Sequence, residues 1–149
     1  KVYDRAMIID LDRRALPFDA PETEPYAVSY DKLAALVTSA KRRYGLTLRN
    51  RRRIERLDAY LIENLGITFG NRIMRQIESY VPVYVACGGS ELEAIDTVLA
   101  KKVLRKLEMQ NPIYIKNEAE GLCAFLDNLF GQDRMVQCKS FMARLQRTI

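Results

Sequence analysis

Phe69-Gly70-Asn71-Arg72-Ile73-Met74-Arg75-Gln76-Ile77-Glu78-Ser79-Tyr80-Val81 is the stretch on which the reading of this chain turns. Ile73, Met74, Ile77, Tyr80 and Val81 recur at the spacing of one apolar helical stripe. Gly70 and Asn71 are turn or N-cap residues in front of it, and Pro82 is expected to bend or end it. Arg72 and Arg75 are thereby placed in the first turn, where the helix dipole disfavours cations unless an anion is near. A nucleotide phosphate, met by helix N–H groups and a guanidinium, would resolve that conflict. So would an ion pair between one arginine and Glu78 or an upstream acid.

The same period runs outward on both sides. Leu33, Leu36, Val37, Ala40 and Tyr44 line one face of a helix from about Ser29, stopped at Gly45, and Ile54, Leu57, Leu61 and Leu65 line a second that ends before Gly66. A fourth begins at Ser90, where Ser90 and Glu93 stand at capping-box spacing, and presents Leu92, Ile95, Leu99, Val103 and Leu107 until Asn111-Pro112 breaks it. Two shorter helices follow, around 118–130 with Leu122, Phe125, Leu126 and Leu129, and from about Asp133 with Met135, Phe141, Met142 and Leu145. Gly131 separates them. The fold class expected is mainly α, a bundle of five to six helices.

Before residue 29 the pattern differs. Ala6-Met7-Ile8-Ile9-Asp10-Leu11-Asp12 reads as a buried strand, and Pro17, Pro21 and Pro25, interleaved with Asp19, Glu22 and Glu24, form a stiff acidic connector. One strand cannot make a sheet, so sequence N-terminal to Lys1 is expected to complete it. The expected organisation is 1–18 as the tail of an α/β core, 19–28 as a proline-rich linker and 29–149 as a helical domain.

Composition narrows the function classes. The chain of 149 residues is 48% hydrophobic and 29% charged, a globular balance, and shows neither a membrane-spanning apolar run nor a signal peptide. It has no histidine, which removes the usual general base and makes a Ser-His or Cys-His hydrolase untenable. Cys87, Cys123 and Cys138 lack metal-ligand spacing and read as reduced thiols of a cytoplasmic protein; no metal site is expected. The net charge of +5 permits phosphate contact.

Lys41-Arg42-Arg43, Arg49, Arg51, Arg52, Arg53 and Arg56 concentrate cations at one helix end, a turn and the next helix start. They form a candidate nucleic-acid-binding patch, against the plain alternative of a solvated surface. Asp4-Arg5 precedes the strand, where an arginine at the rim of an α/β core can reach a neighbouring subunit's phosphates. The pairs Asp10/Asp12 and Glu91/Glu93 have no chemistry arranged around them. Gly88-Gly89 lacks the P-loop pattern.

These arginine sites, in this order, resemble the C-terminal part of McrB-like AAA+ NTPases. Lys1-Val2-Tyr3-Asp4-Arg5-Ala6 and the run to Asp10 are similar to that family's "KVLDRA" helix end and last core strand. FGNRIMRQIESYV is similar to its sensor-2 helix, "FGYRVxxEIxxYV". EAIDTVLAKKVLRKLE (93–108) is similar to "EALDxQILQKVLPKL", and KSFMARL (139–145) to "SxxKLxxML". Asn71 stands where the family has Tyr. Arg105 stands where it often has Pro, which should leave the fourth helix uninterrupted. The resemblance implies an AAA+ helical lid in which Arg72 is sensor 2, Arg75 its fallback and Arg5 an arginine-finger candidate, although many relatives place that arginine in "LRRRF". It further implies ATP or GTP with Mg²⁺ held mostly by an N-terminal core, a ring homo-oligomer, a nuclease subunit and modification-dependent DNA restriction. With no P-loop of its own, this chain would bind nucleotide weakly and hydrolyse none. Two other classes compete with the motor lid: a standalone basic helical module for nucleic acid, and a purely structural or adaptor domain.

Overall fold

Several of the helices begin or end where neighbouring residues satisfy their exposed backbone groups. In the computed structural model, which describes Ala6, Arg14 and residues 16–148, they are α1 (Tyr30–Arg43), α2 (Leu48–Leu65), α3 (Asn71–Ala86), α4 (Glu91–Val98), α5 (Pro112–Phe130) and α6 (Val136–Thr148). No strand occurs among the described residues. The expected strand, with Arg5, Asp10 and Asp12, lies outside them. Residues 16–29 are exposed and carry no regular structure, as the three prolines dictate.

Ser29 caps α1 by accepting from Lys32 N at 3.3 Å, and Thr47 caps α2 by accepting from Asn50 N at 3.3 Å. Ser90 and Glu93 form the full capping box, Glu93 N donating to Ser90 Oγ at 3.3 Å and Ser90 N to Glu93 Oε2 at 2.8 Å. Gly66 ends α2 at φ 61°, in the left-handed region that glycine enters without a Cβ penalty.

Four expectations need correction. Of the two outcomes expected at Pro82, a bend or an end, the second does not occur: α3 runs on to Ala86 with Val81 and Pro82 both buried. Asn111-Pro112 breaks one helix but also starts the next. Asn111 Oδ1 accepts from Ile113 N at 3.0 Å, and Pro112 occupies the first turn, where its missing N–H costs nothing. The fourth helix continues to Met109, yet not as α: a π-helical turn covers Leu99–Val103 and a 3₁₀ stretch Leu104–Met109. Finally, Leu33 and Leu36 are 53% and 57% exposed, while α1 lies against α3 with Ala40 buried and Ala34 and Val37 half-buried.

Most of the core comes from the predicted stripes of the helices after α1, joined by Leu104, which was not among them. Ile54, Leu57, Leu61 and Leu65 of α2 meet Ile73, Ile77 and Val81 of α3, Ile95, Leu99, Val103, Leu104 and Leu107 of the α4 run, Leu122 and Leu126 of α5, and Phe141 and Met142 of α6. Each such side chain contributes about 1.5–3 kcal/mol by leaving water. In backbone terms α3 lies against α1 and α4, α2 against α5, and α6 closes the bundle on α5 and α4.

Polar ties fix the connections. Asp58 Oδ1 accepts from Thr68 Oγ1 and Phe69 N, both at 3.1 Å, and Lys106 Nζ donates to the Thr68 carbonyl at 2.8 Å, so the loop into α3 is held from two sides. Glu91 accepts from Thr47 N at 2.7 Å and from its hydroxyl at 3.2 Å, tying the start of α2 to that of α4. Asp96, 5% exposed, accepts from Gln137 N at 2.7 Å and Cys138 N at 2.9 Å. It thereby does for α6 what an N-cap side chain would, from another helix.

Candidate functional site

Gly70 is the N-cap of α3 and has no side chain with which to cap it. Ile73 N and Met74 N fold back on the Gly70 carbonyl at 3.0 and 3.4 Å. The N–H groups of Asn71 and Arg72 find no intramolecular acceptor among the described residues. Arg72 is in the first turn, as expected, while Arg75 lies one turn further along. Both are exposed, and neither has an ion pair or side-chain hydrogen bond among the described residues. The Glu78 carboxylate goes instead to Arg51 of α2, at 2.6 Å.

Arg75 borders two surface depressions. One, shared with Asn71, Arg72, Gln76 and Ser79, lies along α3 itself. The other lies between α2 and α3, where Arg51 and Arg75 face Glu55, Asp58 and Glu78. Two of those carboxylates are committed, Asp58 to the Thr68–Phe69 turn and Glu78 to Arg51. Position in sequence gave no sign of this acidic wall, since Glu55 and Asp58 come from the preceding helix. What the start of α3 offers is a pair of guanidiniums and two backbone donors that have no partner among the described residues, a set suited to an oxyanion such as phosphate. Among the described residues no cluster of His, Cys, Asp or Glu there could hold a metal ion.

The second group is sorted by the fold rather than kept whole. Arg49, Arg52, Arg53 and Arg56 stand at i, i+3, i+4 and i+7 along α2 and share a face, whereas Arg51 points to the opposite side and its Glu78 partner. Arg53 is half-buried, donates to Asn50 Oδ1 at 3.0 Å and lies 5.8 Å from the Phe130 ring centre. Desolvation, and then the charge of Arg49, lowers its pKa against the opposing pull of Glu91. Arg49, Arg52 and Arg56 are exposed, as are Lys41, Arg42 and Arg43 in the last turn of α1. Arg43 lies over the Tyr44 ring at 5.4 Å. Arg56 belongs to this face by its seven-residue step from Arg49, the one signal in the sequence that places it there.

The described residues thus define a mainly α helical bundle with two separate cationic surfaces, one at the start of α3 and one along the end of α1 and the first half of α2. Comparison of the chain with protein-family models, with curated proteins and with solved structures returned no match. Among the described residues no helix is long and apolar enough to cross a membrane.

Proposed function

We propose that this chain is the C-terminal part of an AAA+ NTPase of the McrB-like kind, residues 29–149 being its helical lid and residues 1–18 the end of its α/β core. The observation that carries the proposal is Arg72: an exposed guanidinium without an intramolecular partner among the described residues, in the first turn of a helix that no side chain caps. A cation there is disfavoured by the helix dipole and is relieved by an anion. The resemblance of FGNRIMRQIESYV to a sensor-2 helix names that anion as a nucleotide phosphate, and the mainly helical bundle suits a lid.

In this reading Arg72, with Arg75 beside it, orients against the phosphates of ATP or GTP with Mg²⁺ bound chiefly by the core of the same protein. The nucleotide supplies the charge that the guanidinium reads. The lid passes its state on as a rigid-body rotation. Arg5, outside the described residues, is the arginine finger of the same proposal. The assembly would be a ring working with a nuclease subunit on DNA in the cytoplasm, and the chain by itself would hydrolyse nothing.

The gene upstream of Lys1 gives the first test: a strand followed by G-x-x-x-x-G-K-[ST] and then an acidic strand is expected. In the full-length protein, Arg72→Ala should leave the ring assembled and lower NTP turnover by roughly a hundredfold, the size expected for loss of one positioned donor. Wild-type turnover in that variant would overturn the assignment. For Arg5→Ala, mixing with a P-loop variant should restore part of the activity, and rings that form without any restoration would reject the finger.

A further inference from the structure

We infer that the Arg49–Arg52–Arg56 face of α2, preceded in the chain by the three cations that end α1, binds the phosphodiester backbone of a nucleic-acid duplex, without regard to base sequence. The inference uses none of the α3 residues and stands whether or not the chain is a motor lid.

Charge segregation comes first. Residues 41–56 hold eight cations and one acid, a net +7 in a chain whose total is +5, so all the other residues together carry −2. This is a local concentration of positive charge on a chain otherwise slightly acidic. The first turn of α2, where the helix dipole favours acids, contains none and holds Arg49.

The fold then separates the cations that are occupied from those that are presented. Arg51 is held by Glu78 at 2.6 Å, and Arg53 by Asn50 at 3.0 Å. Arg49, Arg52 and Arg56 face outward from α2, spread over about 10 Å of helix axis at 1.5 Å per residue. None of the three has an ion pair or side-chain hydrogen bond among the described residues. Lys41, Arg42 and Arg43 end α1 only four residues, 44–47, before α2 starts. Glu91, the carboxylate that approaches this side, is spent on the Thr47 backbone and hydroxyl. Cations that outnumber the neighbouring acids this far repel one another, and a partner that brings regularly spaced anions relieves the repulsion.

The kind of anion follows from the side chains. All but one of the eight cations are arginine, whose planar fork matches phosphate oxygens in pairs. Tyr44 is half-buried with Arg43 over its ring, and among the described residues of 41–56 there is no exposed aromatic platform of the kind that stacks the bases of a single strand. A duplex, with one charge per ~1.7 Å of axis, presents several phosphates within the span of Arg49 to Arg56.

The test is fluorescence anisotropy of a labelled DNA duplex of about 20 base pairs, titrated with the 149-residue chain across ionic strength. Four phosphate contacts predict an affinity that falls roughly a hundredfold between about 50 and 200 mM salt, equally for a scrambled duplex. Arg49→Glu/Arg52→Glu/Arg56→Glu should weaken binding at least ~30-fold at low salt and flatten the log–log slope by about 2.7. Arg72→Glu/Arg75→Glu should stay within about threefold of the unmodified chain, which separates this surface from the α3 site. Far-UV circular dichroism and the urea midpoint check folding, and the Arg49→Gln/Arg52→Gln/Arg56→Gln variant replaces the charge reversal if that one is unfolded. No binding at low salt, equal losses in both charge-reversal variants, or tighter binding to phosphatidylserine vesicles or polyglutamate than to the duplex would each overturn the inference.

Discussion

Asp96→Ala tests how α6 is attached. The Asp96 carboxylate, 5% exposed, accepts from Gln137 N at 2.7 Å and Cys138 N at 2.9 Å, the second and third residues of α6. Met135, just before that helix, is apolar and sits at φ 52°, so it offers no cap of its own. Cys138 is fully buried, and removing the carboxylate leaves its N–H with neither water nor acceptor. An unsatisfied buried donor costs about 1–3 kcal/mol. The lost cap and the lost carboxylate–dipole attraction add about 0.5–2 and 0.3–1 kcal/mol, partly the same energy counted differently. The expected loss is about 3 kcal/mol, and Asp96→Asn, which keeps one acceptor oxygen, should lose about half of it. Urea unfolding followed by circular dichroism measures both. With a slope near 2 kcal/mol per molar, Asp96→Ala should lower the midpoint by about 1.5 M without changing the slope. A loss under about 1 kcal/mol, or an Asn variant as stable as the parent, would refute the view that this carboxylate holds the helix start.

Three further outcomes are expected. The Glu93 carboxyl is held below its ordinary value of 4.5, first by the Ser90 backbone N–H and then by the Ser90 side chain. Its stabilising effect is therefore complete above that ordinary value and fades as pH falls through the lower folded one, so Glu93→Gln should flatten the acid limb of the stability–pH curve, while a parallel limb would reject the box as its source. Cys87 is exposed, Cys123 half-buried and Cys138 buried, and burial raises the pKa of the last two thiols. Iodoacetamide at pH 8 should alkylate Cys87 first, Cys123 slowly and Cys138 only on unfolding, in an order read by mass spectrometry. Gly89→Ala would bring a Cβ within 2.1 Å of the Tyr84 ring, displacing it from Tyr80 at a cost of about 1–2 kcal/mol. In a Tyr84→Ala background the same change should be nearly neutral, and an undiminished cost there would point elsewhere.

How far the sequence could be read depended on how far apart the deciding residues lie. Ser29, Gly66 and the Ser90–Glu93 box act within one turn of the chain and were legible, as were the core stripes, whose period survives any tertiary arrangement. Asp96 was not, because its partners stand 41 and 42 residues later and nothing local marks it as a cap. The arginines show the same division. Their clustering was visible, but the 27-residue reach from Arg51 to Glu78 was not, and that pair removes one arginine from the patch and leaves Arg72 and Arg75 without an ion pair among the described residues. Leu33 and Leu36 carry a proper apolar period and still face solvent, since periodicity says which side of a helix is apolar and not whether anything lies opposite it.

The run from Leu99 to Met109 has a consequence for how this chain can tolerate insertions and deletions. A π turn holds one residue more than the α turn it replaces, and the 3₁₀ stretch after it winds more tightly than α. The first defect lets the helix lag in phase and the second lets it catch up, which keeps Leu99, Val103, Leu104 and Leu107 aimed at the same core. Losing a single codon within 99–103 would restore ordinary winding there but leave the catch-up uncorrected, turning Leu107 away from the core. Length changes in this segment should therefore survive only in compensating pairs.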